Sequence, residues 1–588
     1  MLAQENSIRQ DVFVLIGFWL VGAVLIIIFN WETVSALELR DNDDYMRFAQ
    51  FQHWMEEGDW YLVPMHNFNP QDGVLIHWSR LPDIMLSSVA IPLLIFLPEH
   101  LAYTFTISVV PLFYLLVYLL SVFYLGHRLF GVKYRFVSML FAIASPAVVH
   151  FLPGAIDHHN IQLMLGALFL VLSPIKQMQL GQRWRINIHA LVVGLSFWVG
   201  LDNIFLFGSY FLVYTTYSCL VDAQWREYVR VLLVKCTVTV LVAILLNRPV
   251  SEFFTIKSDE VSFLLVFLLL SGYAFILFFE KSVGFGQSKL SKVMIFIFVG
   301  LLSLTPTVLL FPSFIDGLLI EYPSILKMFW LDYVSEAKPI YYYVNQDGFL
   351  SRQNYVLLFI PALLFPFFKQ NNPYATLLYL MLVVNLLLAY FWQLRVTRSC
   401  FLLAAPLQAY VVLRCAEYLR YLFVKVVFIT LGGPLGIAFI LLFVNGDLSG
   451  PSFKERNQAD EDNLIDVLNS IRVKEELVLT GIESGSQLLA RTKNRIIAAP
   501  YHRNIRGNTF LIETMLEEDL SIVRDKLLSK GVGIVVVGND SHLVLIKHLS
   551  NERAFIRRLY SQELPSWLER VYSNKQSSYQ VFRVREYP

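Results

Sequence analysis

Apolar segments long enough to cross a lipid bilayer recur along most of the chain, and this pattern constrains its fold more than any other feature. Each crossing needs about 20 apolar residues. The chain is 56% hydrophobic and 16% charged, which is more apolar than a soluble protein of this size needs. The predicted fold class is a polytopic α-helical membrane protein with about 13 transmembrane helices. These spans fall at residues 12–29, 103–126, 136–151, 161–174, 187–201, 203–221, 230–246, 261–279, 293–311, 354–369, 375–391, 400–417 and 423–444.

The loops between these spans assign the two sides of the membrane. Basic residues collect in cytoplasmic loops, and here they cluster in alternate loops, near residues 128–135, 176–185, 281–292 and 420–425. We therefore predict a cytoplasmic N-terminus and an uncleaved first helix. The first loop, the loop before the tenth span and everything after Asn445 then lie outside. A bacterial inner membrane is the predicted location, and the short stretch 84–97 predicts a re-entrant or interfacial helix.

A change of composition near Asn445 predicts two domains. Long apolar runs stop there, and a charged linker with Gly, Ser and Pro follows. We expect a transmembrane domain over 1–445 and an external, periplasmic soluble α/β domain over 446–588, with strands at 477–479, 496–499, 533–537 and near 580–584. The net charge of +1 gives no reason to expect nucleic acid as a partner. The four cysteines form neither a disulfide framework nor a CxxC metal site.

An acidic motif directly follows the first span. Asp41, Asp43 and Asp44 lie within four residues of each other, and such carboxylates repel one another unless a cation lies among them. A divalent metal is the functional interpretation. The alternative is an acidic turn that caps the following helix.

A second polar motif, Asp157-His158-His159-Asn160, lies between two apolar spans. Ionisable groups are costly there and are usually functional. A carboxylate and an imidazole two residues apart suit Mg²⁺ or Mn²⁺. The alternative is a polar turn exposed to water.

Two further features lie in predicted outside loops. Glu336 belongs to Val334-Ser335-Glu336-Ala337-Lys338-Pro339, where a solvated side chain is the default interpretation. Arg395 lies outside against the usual bias of basic residues, which favours an anionic partner such as a phosphate. Snorkelling to lipid headgroups is the alternative.

Together these motifs resemble those of the GT-C superfamily of membrane glycosyltransferases, and in particular the catalytic subunit of oligosaccharyltransferase. Asn42-Asp43-Asp44-Tyr45 is similar to the family's first acidic motif, and Asp157-His158-His159 to its second, with His159 in place of a second carboxylate. Val334 to Pro339 resembles the Ser-Val-Ser-Glu-His-Gln-Pro motif of the external loop. Arg395 through Pro406 resembles the family's Arg followed by a Pro-containing helix.

The resemblance implies inverting transfer of a sugar or glycan from a polyprenyl phosphate or diphosphate to an acceptor glycan, lipid or protein, at the outer face of the bilayer. It implies a divalent metal, Mn²⁺ or Mg²⁺, held by Asp43, Asp157, His159 and Glu336. Asp43 and Glu336 are the predicted catalytic residues, and Arg395 the predicted donor phosphate ligand. Further candidates are Asp44, His158, Tyr501, His502 and Arg503, the last three as acceptor contacts or a surface turn.

The family's Trp-Trp-Asp motif for sequon recognition has no counterpart here. After residue 445 the only Trp is Trp567, which Leu568 and Glu569 follow.

Three alternatives to the predicted activity stay open: an oligosaccharyltransferase that acts on proteins, a flippase or transporter of lipid-linked sugars, and an inactive homologue. A transporter would place charges in mid-membrane, whereas the acidic residues here lie between spans.

Overall fold

The computed structural model describes residues 2–174, 183–284, 288–312, 322–343, 352–370, 372–445, 464–471, 473–538, 540–561, 564–573 and 579–585. These residues form two compact units, each built from separate stretches of chain. The first unit contains 1–36, 78–318 and 336–448, and the second contains 37–77, 319–335 and 449–588.

Apolar helices make up the first unit, as the sequence predicts. Among the described residues, seven helices are long and apolar enough to cross a membrane, or eight if one bent pair counts as a single span. The seven are Ile8–Ser35, Glu99–Phe130, Ala223–Asn247, Phe263–Ser282, Lys289–Leu310, Pro373–Phe391 and Leu394–Ala416. The fold class of a polytopic helical membrane protein is confirmed, whereas the count of thirteen spans is not.

Several predicted spans are shorter or broken, and proline or glycine accounts for the breaks. Residues 136–151 form the helix Arg135–Ile143 and a 3₁₀ segment that begins at Pro146. Residues 354–369 form two 3₁₀ segments around the short helix Ile360–Leu363, with prolines at 361 and 366. The last predicted span bends by 78° between Leu422–Leu431 and Pro434–Leu441, where two glycines precede Pro434.

The remaining helices of the first unit are shorter. They are Arg80–Leu94, His159–Leu172, Arg183–Val199 and Ile204–Leu220. The first of these corresponds to the predicted re-entrant or interfacial stretch. Polar residues of the site described below lie just before the helix His159–Leu172 and in the turn between Arg183–Val199 and Ile204–Leu220.

The second unit contains a five-stranded sheet in the order β2-β1-β3-β5-β4. The strands are β1 (Leu477–Leu479), β2 (Arg495–Ile496), β3 (Ile534–Val537), β4 (Leu568–Ser573) and β5 (Gln580–Val584). β1 pairs in parallel with β2 and β3, and β5 pairs antiparallel with β3 and β4. The helices are Ile482–Arg491, Ile505–Leu516, Leu520–Lys530, Ser541–Leu549 and Phe555–Tyr560. The small α/β domain is thus present, and β4 is the strand that the sequence pattern missed.

Two segments from earlier in the chain complete this second unit. The short helix Ser324–Phe329 contributes Leu326 and Phe329 to the same apolar core as the sheet. The backbone near Phe68 bridges to Ile496 at the edge strand. The predicted domains 1–445 and 446–588 therefore differ from the compact units, because loop segments supply part of the apolar surface that the small sheet domain needs.

Candidate active site

Asp157 and His159, both predicted site residues, are close together in the first unit. Asp157 is buried and its Oδ1 accepts a hydrogen bond from the backbone N–H of His159 at 2.8 Å. Its Oδ2 lies 3.2 Å from His159 Nε2. Because Asp157 accepts from the first N–H of the helix His159–Leu172, the local fold itself holds the carboxylate beside the imidazole.

Asp202 is a candidate site residue that the sequence motifs did not indicate. It lies in the turn between Arg183–Val199 and Ile204–Leu220. Its Oδ2 lies 2.6 Å from His159 Nδ1 and 3.7 Å from His158 Nε2. One signal could have identified it: a carboxylate between two apolar spans, on the same predicted face as Asp157.

Arg398, in the first turn of the helix Thr397–Ala416, connects two of these carboxylates. Its Nη1 lies 3.4 Å from Asp202 Oδ2, and its Nη2 donates to both carboxylate oxygens of Glu336 at 2.9 Å. Glu336 thus lies in this cluster, held by Arg398. The sequence motifs did not indicate Arg398, and the role of Arg395 as a phosphate ligand stays a prediction.

Arg395 lines a small cavity beside the same cluster. The cavity has a volume of about 10 Å³, roughly the space of one water molecule. Two arginines line it together with the Asp202 carboxylate, and the two guanidinium groups can donate to an anionic oxygen. Its lining residues are His159, Gln162, Leu163, Asp202, Asn203, Arg395, Arg398, Ser399 and Leu402.

A buried amide network fixes the turn that carries Asp202. Asn203 Nδ2 donates to the backbone oxygen of Gln162 at 2.7 Å and to Ser196 Oγ at 2.9 Å. Ser196 Oγ in turn donates to Gln162 Oε1 at 2.6 Å. Because buried amides are costly to leave unpaired, this network ties the turn to the helix His159–Leu172.

The electrostatics of the cluster keep its carboxylates ionised. Burial raises the pKa of the Asp202 carboxyl, but the two neighbouring imidazoles and Arg398 outweigh it, so the pKa lies well below its ordinary value. Desolvation also raises the pKa of Glu336, yet nearby positive charge, Arg398 foremost, lowers it to about 2. Both groups are therefore anions at neutral pH.

The residues present can accommodate a divalent metal. Asp157, His158 and His159 offer ligand atoms that all lie within 4.8 Å of one another, and such a set suits one ion. A carboxylate oxygen lies within 3.2 Å of each ring nitrogen of His159, an arrangement that suits the doubly protonated ring. Ligation by His159 therefore requires loss of a proton, whereas the carboxylate of Asp157 is already suited to an ion.

The first acidic motif belongs to the second unit. Asp41 and Asp44 form a capping box at the start of the helix Asn42–Glu57, each side chain accepting from the other's backbone N–H. The predicted alternative of a helix cap is thus correct for these two residues. Asp43 is half-buried and takes no part in this capping box. Its convergence with Asp157, His159 and Glu336 stays a prediction.

The predicted acceptor residues also lie in the second unit. Tyr501 is buried, and its hydroxyl accepts from the backbone N–H of His77 at 2.7 Å. The ring of His502 lies 4.9 Å from that of His77 in an edge arrangement. His502 and Arg503 are half-buried. Tyr501 is therefore more than a surface turn, and an acceptor role for the three residues stays a prediction.

Solved structures with a similar fold exist, although no family model and no curated protein matches the chain. The archaeal oligosaccharyltransferase AglB from Archaeoglobus fulgidus, in complex with an inhibitory peptide and a dolichol-phosphate, superimposes with a TM-score of 0.64 at 13% identity. The match covers 90% of this chain and 69% of AglB. The chain shares the fold of this enzyme.

Two structures titled as the oligosaccharyltransferase of Archaeoglobus fulgidus also match at similar levels. The form tethered to an acceptor peptide with an NVT sequon gives a TM-score of 0.64 at 12% identity, covering 90% of this chain and 69% of that one. The complex with Zn and sulfate gives a TM-score of 0.60 at 14% identity, and the match covers 88% of this chain and 67% of that one. The predicted likeness in fold to an oligosaccharyltransferase is thereby confirmed.

Proposed function

We propose that this chain is a membrane glycosyltransferase that moves a sugar or glycan from a polyprenyl phosphate or diphosphate to an acceptor at the outer face of the membrane, with inversion. One observation carries the proposal: Arg395 and Arg398 line a cavity beside His159 and Asp202, in a chain that shares its fold with an oligosaccharyltransferase solved with a lipid phosphate. The Mn²⁺ or Mg²⁺ dependence, the sidedness and the bacterial membrane belong to the same proposal.

The chemistry of such a transfer needs a group that stabilises the departing phosphate. Arg395 and Arg398 supply guanidinium donors, which form charge-assisted hydrogen bonds to phosphate oxygens. A divalent ion held by Asp157 and a deprotonated His159 would add positive charge at the leaving group when bound. Glu336 orients Arg398 through its two oxygens.

Asp43 is the proposed base or acceptor-orienting carboxylate. It lies in the first turn of the helix Asn42–Glu57, and the capping box holds the backbone on either side of it. General base catalysis by a carboxylate requires it to lie within hydrogen-bond reach of the acceptor atom. The fixed helix start gives Asp43 a defined direction for that contact.

A protein acceptor is the second candidate for this activity, because similar structures were solved with acceptor and inhibitory peptides. The absence of a Trp-Trp-Asp motif speaks against it. A transporter is less consistent with the cluster. Asp157, Asp202 and Arg398 lie at helix ends or in the turn between helices, whereas transporter charges line a path in mid-membrane.

The test is sugar transfer from a radiolabelled polyprenyl-linked donor pool by the purified full chain in lipid, with Mn²⁺ or with chelator. Asp43→Ala should abolish metal-dependent transfer. Asp59→Ala is the matched control, because Asp59 is an exposed carboxylate just beyond the same helix. Transfer that survives Asp43→Ala, or donor binding without transfer in the native chain, would overturn the proposal.

A further inference from the structure

A second cluster of ionisable side chains lies in the second unit, outside the cavity with the two arginines. Glu483 is near the start of the helix Ile482–Arg491, and His542 is near the start of Ser541–Leu549. Glu483 Oε1 and His542 Nε2 are 2.8 Å apart. Each of these side chains also contacts a different earlier segment of the chain.

Glu483 holds the residue that precedes the proposed catalytic carboxylate. Its Oε2 accepts from Asn42 Nδ2 at 2.5 Å, while Ser486 Oγ donates to Asn42 Oδ1 at 2.9 Å. Both polar atoms of the Asn42 amide are therefore fixed by one turn of a single helix. Since Asn42 is the first residue of the helix Asn42–Glu57, this contact fixes the first turn of the helix, on which the Asp43 side chain is carried.

His542 holds the short loop helix that precedes Glu336. Its Nδ1 lies 3.0 Å from the backbone oxygen of Phe329, the last residue of the helix Ser324–Phe329. That oxygen has no partner further along its own helix, so the imidazole caps it. A carbonyl and a carboxylate both only accept, so the geometry suits an imidazolium that donates at both nitrogens.

Asp540 places the pair. Its Oδ2 accepts from the backbone N–H of Glu483 at 2.9 Å, and its Oδ1 from the backbone N–H groups of His542 and Leu543 at 3.0 and 3.1 Å. One buried carboxylate thus caps both helices. Their first turns are locked together, and the two side chains meet with little freedom.

We propose that Glu483 and His542 are positioning residues for the transfer reaction. They form one hydrogen-bonded relay, Asn42–Glu483–His542–Phe329, that fixes the acidic motif and the loop helix on the same unit. The inference rests on the proposed function for its effect on rate, because Asp43 and Glu336 are the carboxylates whose chain segments it holds. Its structural part stands independently of that function.

The experiment combines kinetics with amide hydrogen exchange on the full chain in lipid. In Glu483→Ala we expect about tenfold faster exchange at residues 42–46 and 324–331, because each segment loses a hydrogen-bonded anchor. We expect kcat to fall by about tenfold to a hundredfold with donor KM unchanged, since the effect is one of orientation.

Glu483→Gln separates positioning from charge. A glutamine can still accept from Asn42 and can donate to the neutral imidazole of His542, so the relay is retained. This variant should therefore keep near-native kcat and exchange. A loss as large as that of Glu483→Ala would refute hydrogen-bonded positioning.

Two more variants keep the result interpretable. Asn42→Ala should reproduce the fall in kcat while the loop helix stays protected, because the Glu483–His542 pair is left in place. His548→Ala, an exposed residue on the same helix as His542, should change neither exchange nor kcat. Faster exchange spread over the whole sheet in Glu483→Ala would indicate unfolding and would then leave Asn42→Ala to decide the proposal.

Failure of the relay and failure of the proposed function give different results. If the native chain transfers no sugar, the function is wrong, but the exchange rates still report whether the relay holds both segments. If the native chain transfers sugar and Glu483→Ala changes neither exchange nor kcat, the relay is refuted while the function stands.

Discussion

Replacing Asp202 by asparagine tests the cluster at a residue that the sequence motifs did not indicate. The substitution keeps the size and shape of the side chain and removes one negative charge. Asp202 Oδ2 is the atom that lies 2.6 Å from His159 Nδ1 and 3.4 Å from Arg398 Nη1. Asp202→Asn therefore weakens two charged contacts at once.

The size of the effect follows from these contacts. A hydrogen bond to a charged group contributes about 1.5–3 kcal/mol, and the contact to His159 is short while that to Arg398 is long. We count the contact to His159 fully and the contact to Arg398 as a minor addition, so the lost interaction energy is about 3 kcal/mol. Each 1.4 kcal/mol is a factor of ten in rate, so kcat over KM should fall roughly a hundredfold.

The assay is sugar transfer by the full chain in lipid, with thermal unfolding measured on the same samples. Asp222→Asn is the control, because Asp222 follows the other end of the helix Ile204–Leu220 and only caps a turn there. Activity within about threefold of native in Asp202→Asn would remove Asp202 from the site. An equal loss in Asp222→Asn would show that the effect is structural.

Three other predictions follow from single contacts. Arg398→Lys keeps the charge but cannot reach both carboxylates at once, so donor KM should rise about tenfold in the transfer assay. Burial lowers the pKa of His542, but its bond to Glu483, the charges of Asp540 and Glu483 and the Phe329 carbonyl together raise it more, so the pKa lies above its ordinary value of 6.5. The stabilisation by protonated His542 is complete below pH 6.5 and is lost as pH rises through the raised pKa. The protection factors of the sheet amides, which are corrected for base-catalysed exchange, should therefore fall at high pH in the full chain, and should fall less in His542→Gln. Gly485→Ala would place a Cβ 1.9 Å from the Ala498 backbone oxygen, and should destabilise the sheet domain by about 1–3 kcal/mol in thermal unfolding.

The architecture was predictable because hydrophobicity alone specifies it. Apolar length and the change of composition near Asn445 predicted a helical membrane protein with a small α/β domain, and the structure confirms both. The number of spans was less predictable. Proline and glycine shorten or bend apolar stretches such as 136–151 and 423–444. A count of apolar residues does not predict those breaks.

Part of the cluster was predictable from sequence motifs, and two of its residues were not. Asp157 and His159 are two residues apart, so their meeting needs only one helix start. Asp202 and Arg398 reach the same point from other segments, and a single acidic or basic residue at a helix end carries no motif. The resemblance to the family pointed to Arg395 and not to Arg398. Only the structure shows that Arg398 is the arginine that contacts Glu336.

The charges of the cluster bear on how donor and metal can bind together. Asp157, Asp202 and Glu336 face Arg398, Arg395 and a His159 ring with a carboxylate at each nitrogen. Three negative groups thus meet about three positive ones, and the cluster is close to neutral. A divalent cation alone would displace positive charge already bonded to the carboxylates, and a phosphate alone would add uncompensated negative charge. Each therefore favours the other, so the proposed metal and the lipid phosphate should bind as a mutually dependent pair rather than in independent steps.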